Sequence, residues 1–191
     1  MTRTARKWIY SFAEGDGRNK MLLGGKGANL CEMTRIGLKV PPGFVISTEA
    51  CLAFLADTER QLPAGLIESA REHMAALEQQ TGKHFGGSDD PLLVSVRSGS
   101  AMSMPGMMDT ILNLGLNEQT LAGLIRRTGN ERFGYDAWRR FIQLFGKVAL
   151  GVPDALFDAK FEAVKTKIGV KYDLRLGARD LRESRVRILR V

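Results

Sequence analysis

Leu92-Leu93-Val94-Ser95-Val96 and Thr110-Ile111-Leu112-Asn113-Leu114 flank the segment Arg97-Ser98-Gly99-Ser100-Ala101-Met102-Ser103-Met104-Pro105-Gly106-Met107-Met108-Asp109. Two short apolar runs around a segment rich in Gly, Ser and Pro predict two strands joined by a loop. An Arg delivered at the end of a buried strand can fork onto a phosphate. The small residues after it keep backbone amides accessible to an anion. Four of the eight methionines lie between 102 and 108, and Met packs adaptably against a flat base or a moving partner. The residues alone leave a second reading open, in which the methionines strap the loop to a core and Arg97 makes an internal ion pair.

Upstream, Lys7–Phe12 and Phe44–Ile46 read as short strands. Gly24-Gly25-Lys26-Gly27 leads into a helix over 28–35 that Gly37 stops. A lysine in bendable backbone just before a helix N-terminus suits an anion, because free amides and the helix dipole point at it. The spacing is not that of a P-loop, since Gly and not Ser or Thr follows the lysine. A solvated glycine turn is the alternative. Thr48 is placed as the N-cap of a helix carrying Leu52 and Leu55 on one face. Residues 63–80 form a second amphipathic helix through Leu66, Ala70, His73, Met74 and Leu77.

Beyond Gly115 the pattern becomes purely helical. Asn117 caps one helix with Leu121, Leu124 and Ile125 inward, and Gly129 ends it. Residues 132–150 carry Phe133, Ala137, Phe141, Leu144, Phe145 and Val148 as one stripe. Pro153 opens a third helix with Phe157, Phe161, Val164 and Ile168. The expected organisation is an α+β unit over 1–116, a helical unit over 117–170 and a basic tail over 171–191.

The 191 residues, 44% hydrophobic and 26% charged, exclude wholesale disorder. No apolar run approaches a membrane span, and no apolar segment follows the basic N-terminus as in a secretory signal. Two cysteines make no disulfide framework, so a cytoplasmic location is expected. Cys31 and Cys51 are expected to be small buried hydrophobes. Of the net charge of +7, the last 21 residues contribute +4, from seven basic and three acidic residues. A nucleic-acid partner through that tail is therefore weighed, and set aside because no binding motif accompanies it. Arg126-Arg127 and Arg139-Arg140 are expected on solvated helix faces, His73 on an inward stripe and His84 in a loop.

Leu22–Leu30 and Pro42-Gly43-Phe44 resemble the opening of the pyruvate, phosphate dikinase family. Val94-Ser95-Val96-Arg97-Ser98-Gly99, with Ser103-Met104-Pro105-Gly106-Met107-Met108-Asp109-Thr110-Ile111-Leu112-Asn113-Leu114-Gly115, is similar to that family's nucleotide loop. The resemblance continues through Gly129–Phe133, Tyr135-Asp136 and Arg139–Gln143, covering roughly residues 7 to 170. It implies the first subdomain of an ATP-grasp nucleotide-binding domain, followed by a helical subdomain. It implies a phosphotransferase that converts ATP, pyruvate and phosphate into AMP, phosphoenolpyruvate and diphosphate with Mg²⁺.

Carried over residue by residue, Lys26 and Arg97 match the nucleotide-phosphate ligands. Ser98, Gly99, Ser103, Met104, Pro105, Gly106, Met107, Asp109 and Thr110 belong to the covering loop. The resemblance places no catalytic or metal-binding residue in this chain, and Asp89-Asp90 takes no catalytic role. It puts the metal carboxylates, the phosphohistidine and the pyruvate site beyond residue 191. The implied partners are ATP or AMP and the remaining dikinase domains, with a homo-oligomeric parent and neither nucleic acid nor membrane. The chain alone is then expected to bind nucleotide without completing the reaction. Ala101 departs from the family, which commonly has a basic residue there. A shortened, ligand-free remnant or regulatory domain is the alternative expectation.

Overall fold

The computed structural model describes residues 6–99 and 109–188. Ser103, Met104, Pro105, Gly106 and Met107 lie outside these residues, as does Ala101. The described residues divide into two compact units, one within Met1–Gly82 and Ser98–Met108, the other within Lys83–Arg97 and Asp109–Val191.

In the first unit, β1 (Ile9–Ser11) pairs antiparallel with β2 (Phe44–Ile46), placing Tyr10 opposite Val45. Because successive strand side chains alternate in direction, this ribbon has two working faces. Ile9, fully buried, packs with Phe44 against Ala50 of α2 (Thr48–Ala56) and Leu66 of α3 (Leu66–Thr81). Tyr10 and Val45 pack against Leu23, Ala28 and Cys31 of α1 (Lys20–Arg35). The stripe of α3 points inward as its spacing predicts, with Leu66 and Leu77 buried.

Two local expectations are corrected in this unit. Ser47, and not Thr48, caps α2: its hydroxyl accepts the Ala50 amide at 3.3 Å. Leu52 and Leu55 share a face of α2, as expected, and that face is exposed, at 65% and 53%, because α2 meets the ribbon through Ala50. Cys51 is exposed too, while Cys31 is buried as expected.

In the second unit, β5 (Val94–Arg97) and β6 (Thr110–Leu114) form an antiparallel ribbon with an irregularity between Val94 and Val96. The predicted strand over 92–96 is divided at Leu93, its first part being β4 (Pro91–Leu92). β4 pairs parallel with β3 (His84–Phe85), so His84 stands in a short strand and not in a loop. Four helices follow: α4 (Glu118–Thr128), α5 (Glu131–Leu150), α6 (Asp154–Ile168) and α7 (Ala178–Ile188). Asn117 closes a reciprocal cap with Thr120, and Gly129 (φ +62°) ends α4, both as the sequence indicates.

Leu116, Leu121, Ala137 and Trp138 make the core of this unit, with Leu93 and Phe141 packed on it. Phe133, expected on the inward stripe of α5, is 49% exposed. Phe161, Leu176 and Leu181 form a second cluster. Arg132 donates to the carbonyls of Leu176 (2.8 Å) and Asp173 (3.0 Å). Through 188, the residues expected to be a separate tail are therefore a turn and a helix packed in the second unit. The boundary expected at 116 also falls inside this unit, because 83–97 and 109–116 pack with the helices that follow.

Arg139 corrects another expectation. It is 6% exposed, paired with Asp136 at 2.9 Å, and its guanidinium lies 4.2 Å from the centre of the Phe161 ring. Arg140, beside it, is exposed and shares Asp136 at 3.0 Å. Arg126 holds the loop before β4 through the Ser88 carbonyl (2.8 Å) and Asp89 (2.9 Å), and Arg127 reaches Asp90 at 3.5 Å.

Candidate functional site

Lys26 stands where α1 is broken. Asn19 caps the first turn, its Oδ1 accepting the Leu22 amide at 3.0 Å. Gly24 then turns out of helical conformation at φ 67° and ψ 163°, a region that L side chains rarely adopt. The helix resumes after it, so Lys26 lies in the first turn of the resumed segment, where amides have no intrahelical acceptor. Gly27 faces β2 so closely that a Cβ would lie 2.9 Å from both methyl carbons of Val45. Lys26 is exposed, and among the described residues its side chain makes no ion pair or hydrogen bond.

Arg97 ends β5 opposite Thr110. It too is exposed and has no side-chain ion pair or hydrogen bond among the described residues. The strand carrying it is more open than its apolar sequence suggests, with Ser95 exposed and Val96 46% exposed. Ser98, Gly99 and Asp109 are exposed, and Thr110 is half-buried. Lys26 belongs to the first compact unit and Arg97 to the second.

Lys147 carries no signal in the sequence. Its ammonium bonds Asp154 Oδ2 at 2.9 Å, and Gln143 donates to Asp154 (2.8 Å) and Asp158 (3.0 Å). The Asp154 hydrogen bond, assisted by the charges of Asp154, Asp109 and Asp158, holds the Lys147 pKa above its ordinary value. Gln143 and Lys147 are four residues apart on α5, but their partners come from α6, so local spacing does not reveal the cluster. Among the described residues, no three His, Cys, Asp or Glu side chains converge as a metal site. His73 is half-buried and bonds the Ser69 carbonyl through Nδ1 at 2.8 Å, a packing role within α3.

Residues 20–83, which hold the broken helix, the β2 contact and α3, match the pyruvate phosphate dikinase AMP/ATP-binding domain. The chain is 57% identical over 175 residues to the pyruvate, phosphate dikinase of Entamoeba histolytica, covering 92% of this chain and 20% of the relative. It is 50% identical over 186 residues to the chloroplastic enzyme of Mesembryanthemum crystallinum (95% and 19%). To the enzyme of Clostridium symbiosum it is 48% identical over 177 residues (93% and 20%). The chain belongs, by sequence, to the N-terminal nucleotide-binding region of the pyruvate, phosphate dikinases. It spans about a fifth of the length of these relatives. No described helix is long and apolar enough to cross a membrane.

Proposed function

We propose that this chain binds the phosphates of ATP for a dikinase of the pyruvate, phosphate type, with Lys26 and Arg97 as phosphate ligands. The observation that carries the reading is Lys26: an exposed ammonium, unpaired among the described residues, at the restart of a helix, inside the segment matched to an AMP/ATP-binding domain. Arg97, equally unpaired among the described residues, supports it from the strand end. Phosphoryl transfer asks of a protein mainly charge neutralisation and alignment. A point charge beside free amides and a forked guanidinium supply both.

Ser98, Gly99, Asp109 and Thr110, with Ser103, Met104, Pro105, Gly106 and Met107, would cover the phosphates in an ATP-grasp arrangement. In the complete protein, the reaction would convert ATP, pyruvate and phosphate into AMP, phosphoenolpyruvate and diphosphate in the cytoplasm, within a homo-oligomer. Mg²⁺ would come with the nucleotide and be held by residues outside this chain; among the described residues no three His, Cys, Asp or Glu side chains converge. Titration with ATP, followed through Trp8 and Trp138 fluorescence, tests the reading. Wild type should give a saturable change that Arg97→Ala weakens; identical responses would remove Arg97 from the site.

A further inference from the structure

We propose that Thr48 is a positioning residue for the lysine-bearing turn, its hydroxyl taking over backbone carbonyls at the break in α1 so that the following amides stay open to a phosphate. This rests on the nucleotide reading above. In an unbroken α-helix, the carbonyls of residues 21 and 22 would receive the amides of residues 25 and 26. Gly24, at φ 67° and ψ 163°, takes the chain out of that path. Carbonyls released in this way must find another donor or lose the free energy of a hydrogen bond.

The donor is Thr48. Its hydroxyl lies 2.5 Å from the Met21 carbonyl oxygen and 3.3 Å from that of Leu22, a forked arrangement across 26 and 27 positions of sequence. Thr48 is not needed to cap its own helix, because the buried Ser47 does that. The turn is held from its other side by Gly27, whose backbone rests on Val45 of β2. The loop preceding Lys26 is therefore tied to the start of α2, and the resumed segment to β2. Without the hydroxyl, the exposed Met21 carbonyl turns to water and the half-buried Leu22 carbonyl is left short of a donor, which favours rewinding the break. Rewinding would consume the amides of Gly25 and Lys26 and turn the lysine side chain. Thr48 needs no contact with the nucleotide for this, which separates it from the ligand residues.

The test uses the 191-residue chain with Thr48→Val, which keeps the shape and removes the donor, and Thr48→Ser, which keeps the donor. Thr48→Ala serves as a second donor-less variant should the valine fail to fold. Without nucleotide, the donor-less variants should shift the amide resonances of Gly24, Gly25 and Lys26, and Thr48→Ser should leave them in place. They should also bind ATP about fivefold more weakly, as loss of one hydrogen bond predicts, with Thr48→Ser restoring affinity. Unchanged resonances in the donor-less variants, or a serine variant that behaves like them, overturn the proposal. If Lys26→Ala weakens ATP binding and the donor-less variants do not, the nucleotide reading stands and the role of Thr48 falls. If Lys26→Ala binds like wild type, the nucleotide reading falls and takes with it the functional part of this one.

Discussion

Gly27→Ala tests whether glycine is required beside Lys26 for space against the protein and not only for approach of a ligand. The added methyl would lie 2.9 Å from Val45 Cγ1 and 2.9 Å from Cγ2. Both methyls branch from one Cβ, so rotating the valine away from one contact does not free the other. Overpacking of this kind costs about 1–3 kcal/mol. Against it stands the helix preference of Ala over Gly, about 1 kcal/mol. The net expectation is a loss of about 0–2 kcal/mol, which for a chain of this size lowers Tm by up to roughly 8 °C. Thermal unfolding without nucleotide reads this directly. Val45→Ala in the same background should recover much of the loss, giving a coupling of about 1 kcal/mol between two touching sites. Effects of Gly27→Ala and Val45→Ala that simply add in the double variant would refute the packing account of this glycine.

Three further outcomes are expected. Arg139→Met should destabilise by about 2–3 kcal/mol, because it strips a buried partner from Asp136 and a stacked cation from Phe161; Arg140→Met, at an exposed site, should cost well under 1 kcal/mol in the same urea titration. Glu14 accepts hydrogen bonds from Lys7 and from the Ser11 hydroxyl and amide, which hold its pKa at about 2 in place of 4.5. A depressed folded-state pKa stabilises above about 4.5 and is lost as pH falls toward 2, so Glu14→Gln should flatten the acid side of the stability profile in that window. A thiol reagent should modify the exposed Cys51 in the native chain and reach Cys31 only on unfolding, since burial both covers the Cys31 thiol and pushes its pKa up.

The features legible in the sequence are those whose chemistry is local. Asn117 and Gly129 bound α4 because a cap side chain and a left-handed glycine act within one turn. The stripe of α3 and the strands around Arg97 follow from periodicity. The glycine cluster beside Lys26 is legible as a turn that leads into a helix, but not as a break within one: α1 begins before it, at Lys20, and continues beyond it to Arg35. What the sequence does not reveal depends on distant partners. Arg139 sits in a surface-like Arg-Arg pair, yet it is buried, with Phe161 of α6 against its guanidinium. Thr48 has the composition of a cap, yet its hydroxyl bonds carbonyls 26 and 27 residues away. The parallel pairing of His84 with Pro91 belongs to strands of two residues each and carries no pattern of its own. The C-terminal helix α7 is masked in sequence by its arginines, while Leu181 anchors its inward face at 1% exposure.

We propose that Lys26 and Arg97 bind phosphate. Calorimetric titration of wild type, Lys26→Ala and Arg97→Ala with ATP, and in parallel with adenosine, tests it most directly. Each substitution should weaken ATP by roughly tenfold or more, the loss of a charge-assisted hydrogen bond, and leave the response to adenosine unchanged. ATP affinity that survives either substitution, or adenosine binding that falls alongside it, would contradict the claim.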